Sequence, residues 1–284
     1  MTNPLAPNWL TEPSDVNAID ARVWPDNTVR RESGELEFAG VPASELAAAF
    51  GTPLYVIDEE TFRSRAKKAK AVAERVAAEV GTTAKVYYAS KAFLSTEIVS
   101  WIHEDGLNID VASGGEFAAA IAGGMPAARI GLHGNNKSLR EIGRAVTAGV
   151  GAIVVDSEIE IERIASAAGA QDKIQPVRLR INTGVHANTH DFLATAREDQ
   201  KFGIPIKDAP ALVAKIRAER HLKFIGLHQH VGSQIFAPEG FVESSKRLIR
   251  LHAELLAGGE IPEINLGGGF GINYKPADQA PALE

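Results

Sequence analysis

Lys91 closes the run Val86-Tyr87-Tyr88-Ala89-Ser90. A lysine so placed forms Schiff bases with carbonyl compounds when its surroundings keep the amine deprotonated, although an isolated strand-end lysine is more often a surface charge. Further apolar runs end in residues able to do chemistry: Leu107-Asn108-Ile109 in Asp110, 129–132 in His133, 152–155 in Asp156, 177–181 in Asn182, and 224–227 in His228 and His230. The last run, 263–266, leads into Gly267-Gly268-Gly269-Phe270-Gly271, which reads either as a tight turn or as a cradle of backbone N–H groups for an anion such as phosphate. Position 272 is Ile, so the spacing is not that of a dinucleotide-binding loop.

His228 and His230 lie two apart on a strand and so share a face. They read as hydrogen-bonded core histidines, as part of a metal-dependent hydrolase site, or as an imidazole stacked on a cofactor ring with the Ser233 hydroxyl at its phosphate. The metal reading is disfavoured by order, since barrel hydrolases place the H-x-H pair early and the lysine late, the reverse of this chain.

These residues need a scaffold that gathers strand ends. Seven apolar runs from Lys85 onward alternate with helical segments at 96–103, 115–122, 138–148, 158–168, 209–220 and 239–256, several opening on a capping residue such as Ser113 or Ser138. That alternation predicts an α/β fold, a (β/α)8 TIM barrel with its site at the C-terminal ends of parallel strands. Counting gives seven strands, so the barrel is expected to be truncated before its eighth. Residues 1–49 read as an extension with a β-like stretch over 29–41, and 50–284 as the barrel. The polar connection 183–201, with His186, His190, Asp191, Glu198 and Asp199, is long enough to be a functional insertion.

A net charge of −6 and a pI of about 5.8 accompany no basic stripe, which argues against nucleic-acid binding. The densest basic group, Arg63, Arg65, Lys67, Lys68 and Lys70, falls in an Ala-rich helical stretch and reads as a solvated face. Cysteine is absent, excluding disulfides and thiolate chemistry within the chain. No apolar run approaches a membrane span, and the expected location is the cytoplasm.

Taken together, Tyr88-Ala89-Ser90-Lys91-Ala92, Asp110 to Glu116, His133-Gly134-Asn135-Asn136-Lys137-Ser138, Lys201-Phe202-Gly203-Ile204, His228 to Gln234 and Leu266 to Gly271 resemble the diaminopimelate decarboxylases. These belong to the alanine-racemase-like, ornithine-decarboxylase-like group of fold-type III pyridoxal 5'-phosphate (PLP) enzymes. The similarity runs from about Val23 to Tyr274, and the 183–199 loop looks actinobacterial. The resemblance implies decarboxylation of meso-diaminopimelate to L-lysine by a homodimer. It implies Lys91 as the Schiff-base lysine, Asp110 lining the cofactor pocket, His230 stacked on the pyridine, and Ser233 with Gly267, Gly268 and Gly269 at the phosphate. Arg180 would be an electrostatic group of the pocket, His228 a neighbour of His230, and Lys201 a support of the dimer interface. The family's Glu-Pro-Gly-Arg and Cys-Glu-Ser motifs and its C-terminal β-domain tyrosine do not occur before Glu284, so residues 1–284 alone are expected to be inert. A decarboxylase of another basic amino acid, or a binding protein on the same scaffold, are the rival readings.

Overall fold

The computed structural model describes residues 15, 17–185 and 202–282, which fall into two compact units, Met1–Arg65 with Asn273–Asp278 and Ala66–Ile272 with Gln279–Glu284. In the first, β1 (Thr28–Arg30), β2 (Leu36–Phe38) and β3 (Val41–Pro42) pair antiparallel and lead into α1 (Ala43–Phe50). The β-like stretch over 29–41 is thus three short strands, folded back by a turn in which Gly34 N–H donates to Arg31 C=O. Helix α2 (Glu59–Glu79) carries the basic cluster, and its Arg63 and Arg75 pair one turn away with Glu59 and Glu79.

The second unit alternates strand and helix as its periodicity predicts. In chain order come β4 (Tyr87–Ala89), α3 (Thr96–Glu104), β5 (Asn108–Val111), α4 (Gly114–Ala122), β6 (Ile130–Leu132), α5 (Leu139–Ala148), β7 (Ala152–Val155), α6 (Glu158–Gly169) and β8 (Gln175–Asn182). After the undescribed stretch come β9 (Ile204–Pro205), α7 (Ala209–Ala218), β10 (Leu222–His228), α8 (Glu239–Leu255) and β11 (Glu263–Asn265). Strands β4, β5, β6, β7, β8, β10 and β11 pair in that order, all parallel, and β9 adds a short pairing to the end of β8. The architecture is α/β with a parallel sheet. Helix α7 stops at Ala218, two residues short of its expected end, where Glu219 turns extended before β10.

The sheet is covered on the helix side by apolar residues that its strands share with the helices. Ile109, Val111, Val177, Leu179 and Leu227 are fully buried, as are Ile98, Ile102, Ile142, Ile161, Ile164 and Ile216 of the packing helices. All four residues of β7 are buried, as expected of a parallel strand covered on both faces. Helix starts follow local chemistry: Ser95 and Ser113 accept from N–H groups three residues on, and Ser138 with Glu141 forms a reciprocal capping box.

On the opposite face sits a charge. Arg178, in the middle of β8 and 3% exposed, donates through Nε (3.0 Å) and Nη2 (2.5 Å) to Oε2 of Glu263 on β11, and through Nη2 to the Tyr87 hydroxyl of β4 (3.0 Å). Lys85, just before β4, reaches the other oxygen of Glu263 at 3.1 Å. The first and last strands in the sheet order are therefore held within ion-pair distance of one another, which requires the sheet to curl. Burial of the Arg178 guanidinium is offset by the Tyr87 phenol and the Glu263 carboxylate, while Arg178 and then Lys85 lower the Glu263 pKa against its own desolvation.

Arg178→Met should therefore destabilise the fold by about 2–4 kcal/mol, because it leaves a half-buried carboxylate with only the peripheral Lys85. Urea denaturation measures the loss. The double variant Arg178→Met, Glu263→Leu should recover part of it, since it removes the unpaired acid as well.

Candidate active site

Lys91 sits in a single 3-10 turn, Ser90–Ala92, that follows β4 directly. The turn is pinned on both sides: the Tyr88 hydroxyl donates to Phe93 C=O at 2.7 Å, and the buried Ser90 hydroxyl donates to Glu116 Oε2 at 2.6 Å. Lys91 itself is exposed on this sheet end, so its amine is open to a ligand.

Asp110 stands next to last on β5, in register with Ala89 and with Gly131 of β6. The lack of a side chain at Gly131 is what admits it, because a Cβ there would lie 2.4 Å from Asp110 Oδ1. His133 follows β6, and its Nε2 comes within 3.0 Å of Asp110 Oδ1, although neither buried atom has a properly aligned hydrogen-bond partner. The His133 ring meets His228 edge-on at a centroid distance of 4.9 Å. His228, Arg180 and Asn265 are in register across β10, β8 and β11, and Arg180 Nη1 donates to Asp156 Oδ1 at 3.2 Å while its guanidinium lies 4.9 Å from the Phe202 ring.

Electrostatics make this cluster unusual. Burial pushes the His228 imidazole well below its ordinary pKa, and the neighbouring His133, Arg180 and His230 push it further down. His230, half-buried, is lowered to about 4 by desolvation and then by the positive charges of Lys91 and Arg180. Both rings are neutral near pH 7. Gln229, between them, is tethered outward: its side-chain amide oxygen accepts from the Ser244 hydroxyl of α8 at 2.5 Å, and Ser244 shares a 2.6 Å hydrogen bond with Thr183, all three side chains being buried. Among the described residues no three His, Cys, Asp or Glu side chains converge as ligands to a metal.

The glycine run lies along the segment that follows β10. Asn265 opens it, its side chain accepting from Gly267 N–H at 2.9 Å, and Ile235 N–H donates to Gly269 C=O while Gly271 N–H returns to Ile235 C=O. Gly267 and Gly269 have φ of 74° and 102°, and a Cβ on either would fall about 2 Å from a backbone carbonyl of the neighbouring segment (Gln229 at 2.1 Å, Gly232 at 1.9 Å). These two are required by the fold itself. Gly268 differs from the expectation that all three glycines serve alike: its φ is not in the left-handed region, and nothing lies within 4 Å of where its Cβ would stand. Ser233 is exposed beside this run. The structure thus gathers Lys91, Asp110, Arg180, His228 and His230 at one end of the sheet, with the glycine run beyond β11 and Ser233 beside that run. Lys201 and the acidic and histidine residues of 186–201 lie outside the described residues.

Three groups of this end were not singled out from the sequence: the pairing of His133 with His228, the Asp156 partner of Arg180, and the glutamates Glu116, Glu141 and Glu160. The last carried a signal, an acid in the first turn of three successive helices. Glu160 Oε1 and Oε2 take the buried Lys137 ammonium at 2.9 and 2.8 Å, and Oε2 also accepts Asp156 N–H at 2.8 Å. Burial lowers the Lys137 pKa, and the Glu160 charge opposes that shift.

Residues 64–284 match the family model described as the pyridoxal-binding domain of pyridoxal-dependent decarboxylases. The diaminopimelate decarboxylase of Mycobacterium tuberculosis is 46% identical over 269 residues, 92% of this chain and 59% of that protein, and that of Bacillus subtilis 39% identical over 88% and 57%. Among solved structures, diaminopimelate decarboxylase from M. jannaschii superposes with a TM-score of 0.83 at 31% identity, covering 91% of this chain and 60% of that one, and its co-complex with L-lysine with 0.81. The chain spans about 59% of the length of the mycobacterial relative. It belongs to the pyridoxal-dependent decarboxylase family, whose cofactor is PLP. The residues fit that group: a lysine open at a strand end, buried polar atoms of Asp110, His133 and His228 without aligned partners, and free space over Gly268.

Gly269→Ala should lower thermal stability with or without cofactor, by about 2 kcal/mol or more, since both space and φ oppose a side chain. Gly268→Ala should leave the cofactor-free melting temperature within a degree or two of the parent, at a cost of roughly 0.5 kcal/mol or less, and weaken PLP binding alone; differential scanning fluorimetry with and without PLP separates the two. A second expectation concerns pH. With His230 at about 4 in the fold against an ordinary 6.5, the unfolded chain binds a proton that the folded chain refuses between those values. Stability is therefore full above pH 6.5 and falls toward pH 4, by less than about 1.4 kcal/mol per pH unit for a ring that is only partly buried. His230→Gln should make the slope of denaturation midpoint against pH shallower across that window, the buried His228 contributing in the same direction in both proteins.

Proposed function

We propose that the protein containing this chain decarboxylates meso-2,6-diaminopimelate to L-lysine and carbon dioxide, with the parallel sheet forming most of a (β/α)8 barrel of the alanine-racemase type. The observation that carries the reading is the placement of Lys91 at the end of β4, on the same sheet end as the neutral His228 and His230 and the Arg180–Asp156 pair. Support for the substrate comes from the relatives at 39–46% identity that bear this activity in their names, and from a solved neighbour holding L-lysine.

When bound, PLP supplies a conjugated pyridine ring that accepts the electron pair left by the departing carboxylate. The chain's residues have the tasks of holding and orienting. Lys91 is the amine that bonds the cofactor, and its neighbours Lys91-side His230 and Arg180 shape the field there. His230, uncharged at neutral pH, offers a flat imidazole face without adding a positive charge. Gly267 and Gly269 hold the turn, Gly268 leaves the approach open, and Ser233 lies beside it for the phosphate. Asp110 lines the pocket between β4 and β6. Arg180, anchored by Asp156, supplies a fixed positive charge. In this reading residues 1–49 are an extension, 50–284 the cofactor-binding barrel, the assembly is a homodimer, and the protein works in the cytoplasm.

The test is made on the full natural chain. Borohydride reduction in the presence of PLP, followed by peptide mass analysis, should place the cofactor on Lys91. Lys91→Ala should lose the adduct, and lysine formation from diaminopimelate should fall by about a thousandfold or more, a loss of ~4 kcal/mol of transition-state stabilisation. An adduct on another lysine would overturn the assignment, and unchanged decarboxylation of ornithine or arginine in place of diaminopimelate would overturn the substrate.

A further inference from the structure

We propose that Glu116 is a positioning residue for Lys91, acting through Ser90. The inference rests on the assignment of Lys91 as the cofactor-bearing amine.

Glu116 lies in the first turn of α4, and one oxygen, Oε2, accepts from two donors at 2.6 Å: the backbone N–H of Ala112 and the hydroxyl of Ser90. Ala112 follows the strand end that carries Asp110, and Ser90 precedes Lys91 in its 3-10 turn. A single carboxylate oxygen therefore ties the Ser90 side chain of the Lys91 turn to the backbone just after the strand end beside it. Both hydrogen bonds are charge-assisted, which makes them shorter and stronger than neutral ones. Ser90 is 3% exposed, so water does not replace the carboxylate without cost.

The same device recurs around the sheet. Glu141, in the first turn of α5, accepts from Ser138 N–H (2.9 Å) in its own loop and from Gly114 N–H (2.7 Å), the first residue of α4, where the preceding loop ends. Glu160, in the first turn of α6, accepts from Asp156 N–H in its own loop and from Lys137 in the preceding one. Each acid binds its own strand-to-helix loop to the loop one unit earlier. What distinguishes Glu116 is its upstream partner, because of the three only Ser90 adjoins the lysine.

A carboxylate that merely stabilises α4 and one that places Lys91 make different predictions. The measurement is the rate at which PLP is captured on Lys91 in the full natural chain, by borohydride quench at successive times and peptide mass, read beside the thermal melting temperature. Glu116→Ala should slow capture by about tenfold or more through misplacement of the amine, and Ser90→Ala, which removes one hydroxyl only, should slow it in the same direction. Glu116→Gln keeps an oxygen that can accept both hydrogen bonds and should return the rate to within about threefold of the parent. Glu141→Ala should lower the melting temperature as much as Glu116→Ala while leaving capture within about twofold. Capture at the parental rate by both Glu116→Ala and Ser90→Ala would overturn the proposal, as would equal slowing in Glu141→Ala, which would mean that any loosened loop suffices. If the parent protein captures no PLP on Lys91, the cofactor assignment itself fails and the proposal falls with it. If the parent captures PLP and Glu116→Ala does so equally well, only the positioning role is lost.

Discussion

Arg178 is the point on which the second unit turns. A parallel sheet of seven strands can lie open and gently twisted or curl until its edges approach, and hydrogen bonding between neighbouring strands alone does not choose between them. The guanidinium of Arg178 reaches Tyr87 on β4 and Glu263 on β11, and Lys85 completes the set, so the curl is fixed by charged contacts between strands that are far apart in the sheet order. A buried arginine is costly unless paired. The pairing it finds is available only in the curled form, and the cost of leaving it unpaired acts against the open one.

Curling has a consequence two residues along the strand. Side chains alternate across a sheet, so Arg178 and Arg180 face the same side about 6.6 Å apart along β8. The lower arginine holds strand edges together, while the upper one lies with Asp156 among the groups of the C-terminal sheet end. Lys91 and Arg180 then lie close enough to His230, and His133 and Arg180 close enough to His228, to depress the protonation of these two buried or half-buried rings. A sheet end of this kind keeps the His228 and His230 rings neutral and its positive charges few and fixed, which suits the holding of an anionic, phosphate-bearing cofactor. The three helix-start glutamates work on the loops that carry these groups, converting successive connections into a linked rim.

Much of the fold was legible because it follows local periodicity. The seven strands and their helices appear within a few residues of where the alternation of apolar runs puts them, and Ser113 and Ser138 are the caps that their types announce. The candidate site was legible in part for the same reason: in a β-α alternation, the residue after each apolar run falls at the same sheet end, so Lys91, Asp110, His228 and His230 could be named before any geometry was known. Gly267, Gly268 and Gly269 were visible as a run but not as individuals. Which of them is held by positive φ and which stands over open space depends on the backbone of residues 229–235, which packs against them from another strand.

What the sequence by itself determined, then, is the set of elements, their parallel order, and the side of the sheet on which chemistry is gathered, because these depend on interactions within a few residues and on the short reach of each connection. Tertiary structure alone decided the rest. Arg178 finds Glu263 across 85 residues, Ser90 finds Glu116 across 26, and His133 meets His228 through the curl of the sheet. The sequence pattern of each of these residues is that of an ordinary strand, turn or helix start. Their roles arise from partners brought close by the closing of the sheet, and the electrostatic state of a group is fixed by the charges and the burial around it, neither of which is encoded within its own neighbourhood of the chain.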